Sequence, residues 1–204
     1  DIKKVDKNLN SKNIEYFDIT NLSDKKDFIR LRAEMDSTAL KKKFSNKKIF
    51  NKNLPKNPSC KSLYDIAEKI RYEILGGKML KGIEKNFNEN YNQKVISLSK
   101  NQLKNKEDVP IADAFELYML KKFLNIELSP ESSKMLNFWE NDFSKSIDKH
   151  INFLNENLEN QNNYSSKFSE IFESMDVFGS NNEEDNEEEN NEEENKPENN
   201  DDQS

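Results

Sequence analysis

From residue 23 onward, apolar side chains recur at intervals of three and four, and no stretch alternates apolar with polar as a half-buried strand would. That spacing lines one face of a helix, so it commits the chain to helices before any packing is considered. The clearest stripe is Leu63, Ile66, Ala67, Ile70, Ile74 and Leu75. The longest runs through Leu136, Trp139, Phe143, Ile147, Ile151, Leu154 and Leu158, as one helix or as two with a kink near Ser144. An imperfect stripe precedes them, with Phe28, Leu31, Ala33, Met35, Ala39, Leu40 and Phe44. Others hold Ile83, Phe87 and Tyr91, then Ile111, Ala114, Phe115, Tyr118 and Leu124, and last Phe168, Ile171, Phe172 and Met175. The expected fold is all-α, a domain of about five to six helices over residues 23–178. Residues 1–22 are weakly patterned, and Ile14, Tyr16, Phe17 and Ile19 suit one short strand or an extended arm.

Start and stop signals place the boundaries. Ser23 suits an N-cap, with Asp24 and Asp27 in the first turn where the helix dipole favours acids. That helix stops near Ser45-Asn46, and Pro55 and Pro58 break the loop beyond. The next helix starts near Ser59 or Ser62, the latter with Asp65 as a capping box built on the shorter acid. Gly76-Gly77 then marks a break, a kink, or a continuous helix in which the glycines permit close packing. Asp108 suits a cap with Pro110 in the following first turn, and Ser129-Pro130-Glu131 is a strong helix start. Asn160–Asn163 ends the long run.

Charge divides the chain sharply. Residues 180–204 carry 12 acids and the single base Lys196, a net of −11. The whole chain carries −7, so residues 1–179 carry +4. Acids at that density repel, and no apolar side chains offset the ordering entropy, so 179–204 reads as a disordered acidic linker. It serves as a solvating tether, or as an arm that binds a basic surface or screens the body. The low hydrophobic fraction of 33% is partly this segment's dilution.

Motifs for chemistry are scarce. One Cys (Cys60) and one His (His150) exclude a disulfide framework and a Cys/His zinc site. Cys60 lacks a neighbouring base, and Trp139 and the Phe-rich stripes read as core. Gly77-Lys78 is not a phosphate loop, because Tyr72 and Met79 stand where glycine and a hydroxyl residue are needed. Glu68, Glu73 and Glu84 read as scattered surface acids, and Glu68 with Arg71 as a surface pair across one turn. The clusters Lys41–Lys43, Lys47-Lys48 and Lys121-Lys122 read as solvated helix faces rather than a nucleic-acid surface. No run reaches the roughly 18 apolar residues of a membrane span. Asp1 opens a polar stretch unlike a signal peptide, so a cytoplasmic location is expected.

Several segments together resemble one family. Arg30–Asn46 resembles the first helix of the T subunit of aerobic cobaltochelatase, the CobT family. Ile66–Asn86 resembles that family's strongest N-terminal pattern, sharing Glu68, Arg71, Glu73, Leu75, Gly76, Met79, Gly82 and Asn86. Val109–Phe115, Trp139 and the closing Glu173–Val177 follow in the same order, and the acidic segment falls where the family has its linker. The second glycine at Gly77, the sparse Arg and the abundant Lys differ from typical members. The resemblance implies a non-catalytic N-terminal module, cut before a C-terminal integrin-like domain whose Asp-x-Ser-x-Ser motif is not found here. It implies oligomeric assembly with an AAA+ ATPase subunit and a large chelatase subunit, which use ATP and magnesium to insert cobalt into hydrogenobyrinic acid a,c-diamide. Neither a cofactor of its own, nor nucleic acid, nor a membrane is expected for this segment. Glu68, Arg71, Gly76, Gly77, Met79, Gly82 and Asn86 are its candidate partner-contact or hinge positions, and no residue is assigned to catalysis or metal binding. The alternative is a stand-alone helical adaptor or chaperone whose acidic tail binds basic proteins.

Overall fold

A computed structural model describes residues 24–97 and 105–175. The expected arm over 1–22 and the linker over 179–204 lie outside the described residues. Within them the protein is all-helical, without strands: α1 (Lys25–Phe44), α2 (Lys47–Lys52), α3 (Pro58–Met79), α4 (Lys81–Ser97), α5 (Ile111–Phe123), α6 (Pro130–Asn137), α7 (Glu140–Ile147), α8 (Ile151–Glu156) and α9 (Gln161–Glu173). Single 3₁₀ turns cover Lys106–Asp108 and Asp148–His150.

Helix α3 is the axis of the domain, with α1, α4, α5 and α9 packed around it. Its second half is covered on all sides: from Ala67 to Gly77 every residue but Lys69 is buried. Leu63, Tyr64, Ala67 and Ile70 meet a core of Phe115, Tyr118, Phe143, Phe168 and Phe172. Phe115 contacts Phe143 and Phe172 edge-on, with centroids 5.4 and 5.3 Å apart, the geometry that aromatic quadrupoles favour.

The glycine pair is not the break. Helix α3 runs through Gly76 and Gly77 and ends at Met79, two residues later, with Leu80 as its C-cap. The pair lets neighbours approach instead. A Cβ on Gly76 would lie 2.3 Å from a methyl of the buried Leu40, and one on Gly77 would lie 3.2 Å from the Glu84 Cβ. By contrast, Gly82 faces open space.

Other boundaries shift for local reasons. Asp24 caps α1, its carboxylate accepting from the Lys26 N–H, while Ser23 lies outside the described residues. The buried stripe of α1 is Ile29, Ala33, Ser37 and Leu40; Phe28 and Met35 are each 53% exposed, and Ala39 is exposed too. Ser37 joins the stripe because its hydroxyl serves a buried carboxylate on α3. The loop after α1 contains a helix, α2, capped by Asn46. Asn57, rather than Ser59 or Ser62, caps α3, with Pro58 at its first position. Asp108 caps only the 3₁₀ turn, accepting from the Asn105 N–H, and α5 begins after Pro110 without a side-chain cap. Ser129 caps α6 as expected.

The long stripe from Leu136 to Leu158 forms three short helices, with no kink at Ser144. Tertiary anchors set both breaks. At the first, the Trp139 indole N–H donates to Val109 O at 3.1 Å and its ring lies 4.1 Å from the Lys106 ammonium. At the second, Asp148 accepts from the Tyr118 hydroxyl at 2.5 Å and pairs with Lys122. Helical spacing survives such breaks because a 3₁₀ turn changes the phase by little.

Gly76→Ala should lower stability by about 1–3 kcal/mol, because Leu40 must vacate its place in a packed core. Gly82→Ala should raise it by up to about 1 kcal/mol through helix propensity alone. Urea denaturation of both variants checks this, and equal effects would contradict the close approach at Gly76.

Candidate functional site

The candidate positions separate into a buried polar centre and an exposed helix junction. Glu68 and Arg71 are not a surface pair: they are 2% and 0% exposed. The Arg71 guanidinium lies 3.3 Å from the Glu68 carboxylate and donates to the carbonyls of Phe44 at 2.8 Å and Leu158 at 3.1 Å. Glu68 accepts further bonds from Ser165 Oγ at 2.5 Å and Gln161 Nε2 at 3.0 Å. The Gln161 carbonyl in turn takes the Asn46 N–H at 2.7 Å. One ion pair thus ties the ends of α1 and α8 and the start of α9 to α3.

Glu73, one turn further along α3, is also buried rather than on the surface. It accepts from Ser37 Oγ on α1 at 2.6 Å and from the Tyr91 hydroxyl on α4 at 2.5 Å. Burial pushes its pKa above the usual carboxylate range; Lys69 and the two hydroxyls counter this in part, and Glu116 adds to it. Burial and the adjacent Glu73 likewise hold Tyr91 protonated well beyond its ordinary range. Ionic interiors of this kind are fully partnered here: among the described residues no buried side-chain nitrogen or oxygen lacks a hydrogen bond.

The exposed half of the candidate set sits where α3 turns into α4. Met79 and Leu80 are 46% and 52% exposed, side by side in sequence, with Gly82 just beyond. Asn86 on α4 donates to Asp36 on α1 at 2.9 Å and locks the two helices beneath that junction. Gly76 and Gly77 belong to the packing below, not to this surface. Leu80 was not among the candidate positions, and Gln161 and Ser165 carried no motif and were missed by sequence reasoning.

No catalytic cluster assembles around these positions. Among the described residues, no three His, Cys, Asp or Glu side chains converge as a metal centre requires. Cys60 is fully buried, its thiol pushed up to about 11 by burial and by Glu173. His150 closes a 3₁₀ turn; burial, then Lys167 and Lys149, hold its imidazole below the usual value. Shallow grooves open to solvent lie between the α1–α2 corner and Glu159–Asn162, and between Lys52–Lys56 and the C-terminal half of α9. No described helix is long and apolar enough to cross a membrane.

The described residues form a helical body with a buried ion pair at its centre and two adjacent exposed apolar side chains at the α3–α4 junction. The family model described as cobalamin biosynthesis protein CobT matches residues 3–204, and the chain belongs to that family. Family membership supports a part in cobalamin biosynthesis, in company with other chelatase subunits. No solved structure matches the chain.

Three outcomes follow from this geometry. Arg71→Met should cost about 3–5 kcal/mol, since it leaves Glu68 uncompensated and two buried carbonyls without a donor. Arg71→Lys should recover little of that, because an ammonium lacks the planar fork; thermal melts of both variants test it. Glu73→Gln tests the raised carboxyl. The folded state holds that proton at pH values where the unfolded chain, titrating near ~4.3, has released it. The stability this group contributes is present below the unfolded value and is lost as pH rises through the folded one. The melting temperature of Glu73→Gln relative to wild type should therefore climb as pH rises above about 4, and a constant difference would contradict the buried carboxyl.

Proposed function

We propose that this segment is a non-catalytic interaction module of an ATP-dependent cobaltochelatase, which inserts cobalt into hydrogenobyrinic acid a,c-diamide. The family match along residues 3–204 carries the reading. The Met79–Leu80 junction supplies the docking face. Its partners are an AAA+ ATPase subunit and the large chelatase subunit. ATP and magnesium act on those partners, and cobalt is the substrate of the assembly. The module's work is to bind one nucleotide state of the ATPase more tightly than the other, since only differential affinity converts hydrolysis into motion at a second subunit. A body tied together through Arg71 and Glu68 suits that work, because it moves as a unit when its surface is pulled.

The test is calorimetric titration of the chain with each partner subunit, with and without nucleotide. Wild type should bind, and Met79→Asp with Leu80→Asp should weaken binding about tenfold or more at an unchanged melting temperature. Absence of wild-type binding to both subunits would sink the reading. Capture of basic proteins through the acidic tail instead would establish the adaptor alternative. Full-strength binding by the double variant would remove the junction as the docking face.

A further inference from the structure

The α1–α2 corner holds a second surface that the helical domain leaves uncovered. Residues 41–56 contain seven lysines (Lys41, Lys42, Lys43, Lys47, Lys48, Lys52 and Lys56) and no acid. All seven are exposed, and none is in an ion pair with a described residue. Acids from neighbouring elements answer only part of this charge. Asp65 on α3 feels Lys41, Glu159 shares a groove with Lys43, and Glu173 shares one with Lys52 and Lys56. Glu170 lines the same groove but is engaged by Lys167.

The same chain carries the complementary charge. Residues 183–194 hold nine acids and no base. Their point of departure lies beside the lysines. Helix α9 packs against α2. Gln161 at its start bonds to Asn46, and Glu173 and Ser174 at its end line the groove with Lys52 and Lys56. Thirteen residues of helix span about 20 Å, which is the separation along α9 between the Asn46 end of this surface and the Lys52–Lys56 end beside Glu173 and Ser174. The eight residues from Met175 to Glu183 reach at most about 26–29 Å when extended. A segment of that length can reach the Lys52–Lys56 end of the surface and extend along it, and the tether gives it a high effective concentration there.

We propose that the lysine surface of the α1–α2 corner is the docking site for the chain's own acidic segment, residues 183–194. Docking in cis covers the corner until a competing anionic surface, or added salt, releases it. It also explains how a body of charge +4 and a segment of −11 coexist in one chain without the lysines gathering stray polyanions.

Paramagnetic NMR on the full chain tests this. A spin label is placed at Asn190→Cys; Cys60 is fully buried and stays unlabelled. At about 0.05 M salt, amide signals of residues 41–56 should lose intensity selectively, and at about 0.5 M, where screening is short-ranged, recover it. The loss should also vanish when Lys47, Lys48 and Lys52 become Gln, and when Glu187, Glu188 and Glu189 become Gln, at unchanged melting temperatures. No selective loss at low salt, or a loss that survives salt and both variants, would overturn the proposal. A loss seen only when labelled protein is mixed with isotopically marked unlabelled protein would overturn it in favour of contact between copies. A short duplex DNA that binds residues 41–56 without relieving the broadening would overturn the shared site.

Discussion

Arg71 cannot be buried without dictating its surroundings. A guanidinium has five N–H donors, stays charged at any working pH, and tolerates no apolar cage. With 0% exposure it must find its acceptors inside the domain. It finds Glu68 one turn back on α3, the carbonyl of Phe44 that closes α1, and the carbonyl of Leu158 that closes the turn before α9. Helix C-termini are where unpaired carbonyls collect, and where positive charge is favoured. The arginine thus joins helix ends that would otherwise need water. The Glu68 carboxylate then reaches forward to Gln161 and Ser165, so the start of α9 is fixed by the same pair.

Such a centre contributes geometry more than stability. The desolvation of two ions offsets most of their attraction, and an apolar replacement of the whole set would pack as well. What an apolar replacement would lack is direction. Leu and Phe accept many neighbouring arrangements, whereas this network is satisfied only when α1, α3 and α9 meet at one angle. Glu73 repeats the device one turn on, binding α1 through Ser37 and α4 through Tyr91. Together the two carboxylates hold three helices, α1, α4 and α9, to α3. That fixes where α1 ends and turns into α2, and where α3 ends and turns into α4, the two corners with uncovered surface.

Helix periodicity made most of the fold legible, and its failures share a cause. The Leu63–Leu75 stripe, the Ser129 cap and the all-helical class were readable because they depend on neighbours in sequence. The breaks at Trp139 and Asp148 were not, because Val109, Tyr118 and Lys122 impose them from other helices. Burial of Glu68 and Arg71 was hidden for a related reason. Two opposite charges three residues apart look the same on a solvated face and in a core. Only the full enclosure of α3, where the spacing of Tyr72, Ile74 and Leu75 fills every side, separates the two cases. Of the candidate set, Met79 and Gly82 stay on the surface, while Glu68, Arg71, Gly76 and Gly77 hold it in place.

The division of labour follows from where charge can be afforded. Within α3 the Arg71–Glu68 pair is enclosed, so salt screens it little. At the α1–α2 corner charge is left unmatched and exposed, so that surface responds to whatever anion is near. Met79 and Leu80 at the α3–α4 junction carry no charge, so a contact made there would bury apolar surface, which salt scarcely weakens. The two surfaces share one core, and salt acts on them by different physics: it screens the lysines and leaves apolar burial at Met79 and Leu80 nearly untouched.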